Sequence, residues 1–427
     1  MTDARRRTGL TRRRFLWGAG AASAAAAIVA VSDRLVSSGT AAAVLPGVVL
    51  GSQPAGLPLR QHAWNDTLAR DDYGNPVAPR FNRLLFFDVR GSPTPGHARV
   101  LEASLRTLER YFAWGPQGLL FTTGWAPGYF EHVVGTPSPI PKAKPLSQFE
   151  LPSIDDYDLC LHFACDDEQR LASVEAALLH GTPLGRGAGQ LDLSSALRWR
   201  ETRTGFVGTG LPAARQQVGG IPPGSPVSTD SPLFMGFKSA LLKNQATEDA
   251  VTIPRGAFAA GTTLQVSYMQ LRLQDWYEQL SQSDRVARMY APQVTPEQAN
   301  RFTTDAKSDP NLLEQAIRRY SVCGHAQTSA RARRNGRPVI LRRDFDTVDG
   351  GQAGLHFVSL QRTIDDFVRT RTAMNASEAQ LQNPAITDTV NNGINEFIFV
   401  RRRANYVIPS RRSRSFPLLP GREQALT

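Results

Sequence analysis

A strand followed directly by an amphipathic helix occurs four times in this chain, twice in each half. Short apolar or alternating runs read as strands, and apolar residues at i, i+4 and i+7 read as one helical face. The first unit is a strand at 82–89, ended by Gly91-Ser92-Pro93, then a helix at 97–113 with Leu101, Leu105, Leu108 and Phe112 on one face. A strand at 118–122 follows it. The second unit is a strand at 158–165 and a helix opening at Asp166-Asp167-Glu168, with the stripe Leu171, Val174 and Leu178. The third is 263–271 followed by 273–280, and the fourth is 354–361 followed by 364–372. Doubling this pattern in each half predicts an α+β fold. Its form is two ferredoxin-like modules with antiparallel sheets, facing each other as a pseudo-dimer in a barrel-like arrangement. The modules are expected at 81–235 and 236–409, after an extended, Pro-, Gly- and Asp-rich segment at 44–80. A length of 427 residues agrees with two or three such units at roughly 150 residues each.

Net charge is +11, which suggests nucleic acid until it is located. Residues 1–43 carry +5 and residues 401–427 carry +6, which leaves residues 44–400 at zero. A neutral body lacks the cationic face that phosphate backbones require, so nucleic acid is not an expected partner. Arg401, Arg402, Arg403, Arg411, Arg412 and Arg414 at the C-terminus read as a solvated basic tail, set at 410–427 beyond the second module. Three cysteines are too few for a disulfide framework.

The first residues read as an address. Arg5, Arg6 and Arg7 are followed by Thr11-Arg12-Arg13-Arg14-Phe15-Leu16, which looks like a twin-arginine export signal. An uncharged Ala- and Gly-rich stretch of 17 residues, 15–31, is only weakly hydrophobic, and Ala41-Ala42-Ala43 offers small residues for cleavage. The expectation is a signal peptide at 1–43, recognition by the twin-arginine machinery, and an extracytoplasmic protein in the periplasm, at the cell surface or secreted. A single uncleaved anchor is the alternative. Twin-arginine export carries folded cargo, which raises the expectation of a cofactor.

No Gly-rich phosphate loop opens a helix, no His-Glu-x-x-His is present, and no cysteine pair has zinc spacing. Cys160 and Cys165 sit on one strand five residues apart, hence on opposite faces, as buried thiols. His162 and His356 lie inside strands and read as packed residues, while His62, His97, His132 and His180 have no partner spacing. His325 differs in context. Asp309 and Pro310 start a helix whose face holds Leu313, Ile317 and Tyr320, and it runs out into Ser321-Val322-Cys323-Gly324-His325. The imidazole is expected on a loop beyond that helix end, before a basic segment with Arg331, Arg333, Arg334 and Arg337 and a strand-like run at 339–346.

The stretch 324–362 resembles the C-terminal half of dye-decolorising peroxidases, a family of haem proteins. His325, followed by Leu341-Arg342-Arg343-Asp344-Phe345, is similar to that family's histidine and its later Leu-Arg-Arg-Gly-Tyr. Gly354-Leu355-His356-Phe357-Val358-Ser359-Leu360-Gln361-Arg362 is similar to Gly-Leu-Leu-Phe-x-x-Tyr-Gln-Arg, and Asn395-Glu396-Phe397 to a closing Asn-Glu-Tyr. The strand at 159–163 and Gly261-Thr262-Thr263-Leu264 also fit, so the likeness covers most of 80–409. The resemblance implies two ferredoxin-like modules with haem b (iron protoporphyrin IX) between them. It makes His325 the proximal iron ligand, with Glu396 or Asn392 behind it, and places Arg342 over the distal haem face. Gly236, Phe237 and Phe357 are then cofactor-binding.

One position departs from the pattern. The family's distal motif is Gly-Phe-x-Asp-Gly, whose aspartate helps move a peroxide proton. The best match here is Met235-Gly236-Phe237-Lys238-Ser239-Ala240, with Ser239 where the aspartate should be. A second candidate, Gly205-Phe206-Val207-Gly208-Thr209-Gly210, lacks it too. Three readings stand. The first is a haem peroxidase using hydrogen peroxide to oxidise small organic reductants, with Arg342 and Ser239 in its catalytic site. The second is a haem carrier or sensor without turnover, and the third is a haem-free exported scaffold. Homo-oligomer formation is compatible with each.

Overall fold

The computed structural model describes residues 50–295 and 310–426. The export-signal reading, and the helix start at Asp309, lie outside those residues. In chain order the elements that matter are β1 (Phe81–Val89), α1 (Pro95–Tyr111), β2 (Leu120–Trp125), β3 (Ser153–Ile154), β4 (Leu159–Cys165), α2 (Glu168–His180), β5 (Leu197–Phe206) and β6 (Thr262–Leu271). They continue with α3 (Leu273–Glu278), α4 (Gln282–Met289), α5 (Pro310–Tyr320), α6 (His325–Ala330), β7 (Ile340–Arg342), β8 (Phe345–Thr347), β9 (Gly354–Gln361), α7 (Ile364–Ala373) and β10 (Ile398–Ile408).

The strands hydrogen-bond in the order β2-β4-β1-β5-β8-β9-β6-β10, and β10 pairs back with β2, which closes an eight-stranded antiparallel barrel. Read by halves, β2-β4-β1-β5 and β8-β9-β6-β10 are the same ferredoxin-like strand order, each with helices after its first and third strands. The halves join through Phe206 opposite Asp346 and Val407 opposite Trp125. The α+β architecture expected from the repeat is what the chain adopts.

Alternation of side chains along the strands divides the core. Leu84, Phe86, Leu264, Val266, Val358 and Tyr406 pack together inside the barrel. Their neighbours Leu85 and Phe87 point outward and pack under α1 and α2 against Leu101, Leu105, Leu171 and Leu178. Cys160 belongs to the inner cluster and Cys165 to the outer one, as their spacing requires. α1 starts at Pro95, whose lost N–H falls where no intrahelical partner exists, with Thr94 N–H donating to His97 Nδ1 at 3.3 Å. α2 is capped by the Asp167 carboxylate and stopped by Gly181 at φ 65°. Among the described residues, no helix is long and apolar enough to cross a membrane.

The basic C-terminus is not a solvated tail. Arg401–Arg403 lie in β10, and the segment beyond returns to α1, where Arg411 and Arg414 have side-chain exposures of 1% and 0%. Arg414 Nη2 donates to Glu102 Oε1 at 3.1 Å and to Glu109 Oε2 at 3.0 Å, and Arg411 pairs with Glu109 as well. The reason lies on α1. Glu102 and Glu109 are two turns apart and both buried, and a buried carboxylate needs a bonded cation. Burial alone would raise the Glu102 carboxyl, but Arg414, Ser415 and Arg106 outweigh it and hold its pKa below the ordinary range.

Candidate functional site

The cleft lies over the C-terminal half of the barrel. Its walls are the segment 233–239, α6, the β7–β8 run, α7 and the outward residues of β6, β9 and β10. Its atom-free space is about 1400 Å³ including the open mouth. Most of the wall is apolar, with Phe237, Met269, Leu271, Leu355, Phe357 and Phe367 prominent. His325, Arg342 and Ser239, the three polar residues singled out from the sequence, all line it.

His325 does not hang from the loop after a helix; it is the first residue of the short helix α6. Close backbone packing fixes its start. A Cβ on Gly324 would stand 1.8 Å from the Tyr290 carbonyl oxygen, so only glycine fits there. Gly393, at φ 54°, lies against His325 on another side, where a Cβ would come within 2.9 Å of its N and Cα. Cys323 bridges to the same segment, accepting from the Gly393 N–H at 2.8 Å and donating its own N–H to the Asn391 carbonyl at 3.0 Å. Asn392 serves this loop. Its Nδ2 donates to the carbonyls of Asn375, Thr387 and Asp388, and its Oδ1 accepts from the Cys323 thiol. The Glu396 carboxylate acts electrostatically on Arg288.

Arg342 closes β7. Its N–H donates to Gln245 Oε1 at 2.7 Å and its Nη2 to the Ser239 carbonyl, while its buried Nε has no hydrogen-bond partner. Burial lowers the guanidinium's pKa, which Asp344 and Tyr290 partly offset. Ser239 Oγ in turn donates to Asp344 Oδ2, and Asp344 Oδ1 accepts the Val358 N–H at 3.1 Å. Asp346 accepts the Phe234 N–H at 2.6 Å on Oδ2, while its Oδ1 is buried without a partner. Burial raises the pKa of both carboxyls, and most of Asp346's. Both aspartates line the cleft. The spacing of 342, 344 and 346 in one extended run, where alternate residues face the same way, is the sequence signal that could have found them.

Phe237 and Phe357 lie in the wall, Phe237 edge-on to Tyr290 and Phe357 tilted against Phe367. Gly236 shapes the turn at φ 87°, donating to the Leu233 carbonyl at 2.8 Å, and does not itself line the cleft. Of the two Gly-Phe candidates, the Met235–Ala240 stretch reaches Arg342, while Gly205 and Phe206 end β5.

Two further arginines line the same cleft, and sequence reading missed them. Arg371 Nε donates to Glu150 Oε1 at 2.6 Å and Arg403 Nη1 to Glu150 Oε2 at 2.9 Å. One carboxylate thus serves two cations, and the buried Arg403 Nη2 has no partner. Burial pushes the Glu150 carboxyl up, and the two arginines bring it below its ordinary range. The trio carries a surplus positive charge, suited to an anionic group.

A second cavity shares Ser239, Arg342 and Asp344 with the cleft. Trp64, Asn75 and Asn82 contribute to it, and the Lys238 ammonium meets Asp71 Oδ2 at 2.6 Å beside it. The N-terminal segment therefore builds part of this region.

Comparison with solved structures finds the same fold in peroxidases. A DypB variant from Rhodococcus jostii RHA1 in complex with heme is 14% identical, with TM-score 0.55, covering 83% of this chain and 98% of that one. A DyP-type peroxidase from Cellulomonas bogoriensis is 17% identical, with TM-score 0.53, covering 81% and 95%. The encapsulated DyP-type peroxidase of Mycobacterium smegmatis is 13% identical, with TM-score 0.55, covering 83% and 100%. At such identities the likeness is one of fold. No curated protein matches the sequence. A family model does match, over residues 79–410, a span that takes in every barrel strand and the whole cleft. This chain, with the fold of the DyP-type peroxidases, therefore belongs to the family of unknown function DUF7405.

Proposed function

We propose that this protein binds haem b in the cleft and acts as an exported peroxidase, with His325 as the residue that would ligate the iron and Arg342 as the charge stabiliser. The observation that carries the reading is the gathering of one histidine, one partly unsatisfied arginine and a cationic trio in a cleft whose wall is mostly apolar. Among the described residues, no three His, Cys, Asp or Glu side chains group together as a metal site. A lone imidazole suits an iron that brings its other donors in a macrocycle. The buried Nη2 of Arg403, beside Arg371, fits the carboxylate edge of such a macrocycle, and the apolar wall fits its faces.

Haem bound there would supply the redox chemistry that splits the peroxide O–O bond. The protein's part is electrostatic and positional. A guanidinium at Arg342 opposes the negative charge that grows on the departing oxygen, in a site where low dielectric strengthens it. Gly324 and Gly393 hold the His325 backbone so that its imidazole needs little reordering. Export follows from Arg12, Arg13 and the stretch behind them, with an organic reductant as the electron source.

A second reading, haem binding without turnover, is favoured by the hydroxyl at Ser239. The absorption spectrum of protein purified from haem-supplied cells decides the first point. A Soret band is expected in the native protein and lost in His325→Ala; an unchanged band in that variant rejects the ligand assignment. Arg342→Leu is expected to keep the band and slow the reaction with peroxide, and equal rates would favour the carrier.

A further inference from the structure

The position where an aspartate was expected holds Ser239, yet its hydroxyl meets a carboxylate, that of Asp344, delivered by the connection between β7 and β8. We infer that Asp344, held by the Ser239 hydroxyl, is the group that takes up and returns the peroxide proton. The inference rests on the haem-peroxidase reading and adds a residue to it.

The geometry supports a division of labour between the two side chains. Ser239 Oγ donates to Asp344 Oδ2 and the Val358 N–H to Oδ1, so both carboxylate oxygens are oriented from fixed elements. The Ser239 carbonyl meanwhile accepts from Arg342 Nη2, which ties the guanidinium, the hydroxyl and the carboxylate into one unit. That unit lines both the cleft and the second cavity, so Asp344 borders each of them. Burial raises the Asp344 carboxyl, while Arg342, Ser239 and Val358 favour its charged form. An acid held between those opposing influences is suited to accept a proton and release it.

Other titratable groups nearby are less suited. Asp346 has burial pushing its carboxyl well above the ordinary range, and its Oδ1 has no hydrogen-bond partner to orient it. Lys238 is committed to Asp71. With haem bound, Asp344 would take the proton from one oxygen of hydrogen peroxide. It would return that proton to the other oxygen, which would leave as water when the O–O bond breaks. Bound haem would supply the two electrons for that cleavage, and the organic reductant would restore them. Asp344 thus ends as the carboxylate it began as. Ser239 is a positioning residue, acting through Asp344.

The test uses the full-length, haem-loaded protein and two readouts, the rate of reaction with hydrogen peroxide and the equilibrium affinity for cyanide. Hydrogen cyanide must surrender a proton on binding, so its affinity reports the same acceptor without turnover. In Asp344→Asn the Soret band should persist, the peroxide reaction should slow by about 10²–10⁴-fold, and cyanide affinity should fall. Adding Ser239→Asp to that variant should recover part of both losses by returning a carboxylate to the same contact. Ser239→Ala, which keeps the carboxylate, should slow the reaction by roughly tenfold, the worth of one orienting hydrogen bond. A haem-loaded Asp344→Asn that matches the native protein in both readouts overturns the inference and leaves the haem reading standing. Should Asp344→Asn not fold, an unaltered Ser239→Ala overturns it instead. A native protein that takes up no haem overturns both.

Discussion

The two halves of the barrel share one strand order and put it to different uses. In the N-terminal half, the crossover after the first strand is the single helix α1, 17 residues long, and its apolar face fills the outer surface of the sheet with Leu101, Leu105 and Leu108. In the C-terminal half the corresponding crossover is broken. α3 ends at Glu278, α4 begins again after Ser281, and α5 and α6 follow at 310–320 and 325–330. Short pieces cannot lay one continuous stripe on the sheet, and the cleft occupies the outer face of β6 and β9 beside them. The same topology therefore yields a filled layer or a binding cleft, according to whether one connection is a continuous helix. The charged groups follow the same division. Glu102 and Glu109 with Arg411 and Arg414 lock a filled face, whereas Glu150 holds Arg371 and Arg403 in the wall of the cleft; each cluster has one buried guanidinium nitrogen without a hydrogen-bond partner, but that of Arg403 belongs to a residue lining the cleft.

The largest effect expected from this contrast is at the buried lock. Arg414→Ala removes the cation shared by two buried carboxylates, leaving Glu109 to Arg411 and Glu102 to Arg106 and Ser415, and should cost about 3–5 kcal/mol of unfolding free energy in denaturant titration. His325→Ala in the cleft should leave the melting curve of the haem-free protein almost unmoved. If the two variants cost the same, the filled and open halves do not differ as argued. Next comes apolar truncation. Leu105→Ala under α1 should cost about 2–5 kcal/mol, since the filled layer cannot collapse around the gap. Phe357→Ala, whose ring already borders open space, should cost well under that in the same titration.

The smallest effect sharpens the comparison through pH. Burial first, then the charges of Arg343 and His356, lowers the His162 pKa to about 3 in the folded chain. A base depressed in the fold is protonated first in the unfolded chain, so stability is intact above the unfolded value and lost as pH falls towards the folded one. Between pH 6.5 and 5.5 this one histidine should cost up to about 1 kcal/mol. His356 in the other half is lowered by burial as well, but Asp349 opposes the shift. His162→Gln should therefore flatten the acid limb of the stability profile more than His356→Gln does. An equal flattening would show that Asp349 does not offset the burial of His356.

Much of this was legible beforehand where periodicity was strong. The strands at 82–89, 263–271 and 354–361 and the face of α1 follow from local alternation and the helical repeat, and they appear within a residue or two. β5 and β10 did not announce themselves, because both carry runs of arginine among their strand residues. Arg198, Arg200 and Arg203 in β5 and Arg401–Arg403 in β10 read as polar or basic sequence until their partners are in place. Those partners are far away in the chain: Asp88 for Arg198, Asp155 for Arg402, Glu150 for Arg403. His325 and Arg342 were visible through a motif, whereas Asp344 was passed over although it stood within the quoted motif. Its contact with Ser239 is set by the β7–β8 connection, 105 residues away, and not by any local pattern.

What the chain determined locally was the repeat of strand and helix, and hence the barrel, because hydrophobic period is a property of near neighbours. Tertiary structure alone decided which charges are buried and what fills position 239's missing role. Those outcomes depend on pairs separated by 100 residues or more, such as Ser239 with Asp344 and Arg414 with Glu102. The energy of such a pair comes from desolvation and distance, and neither is defined until the barrel has closed.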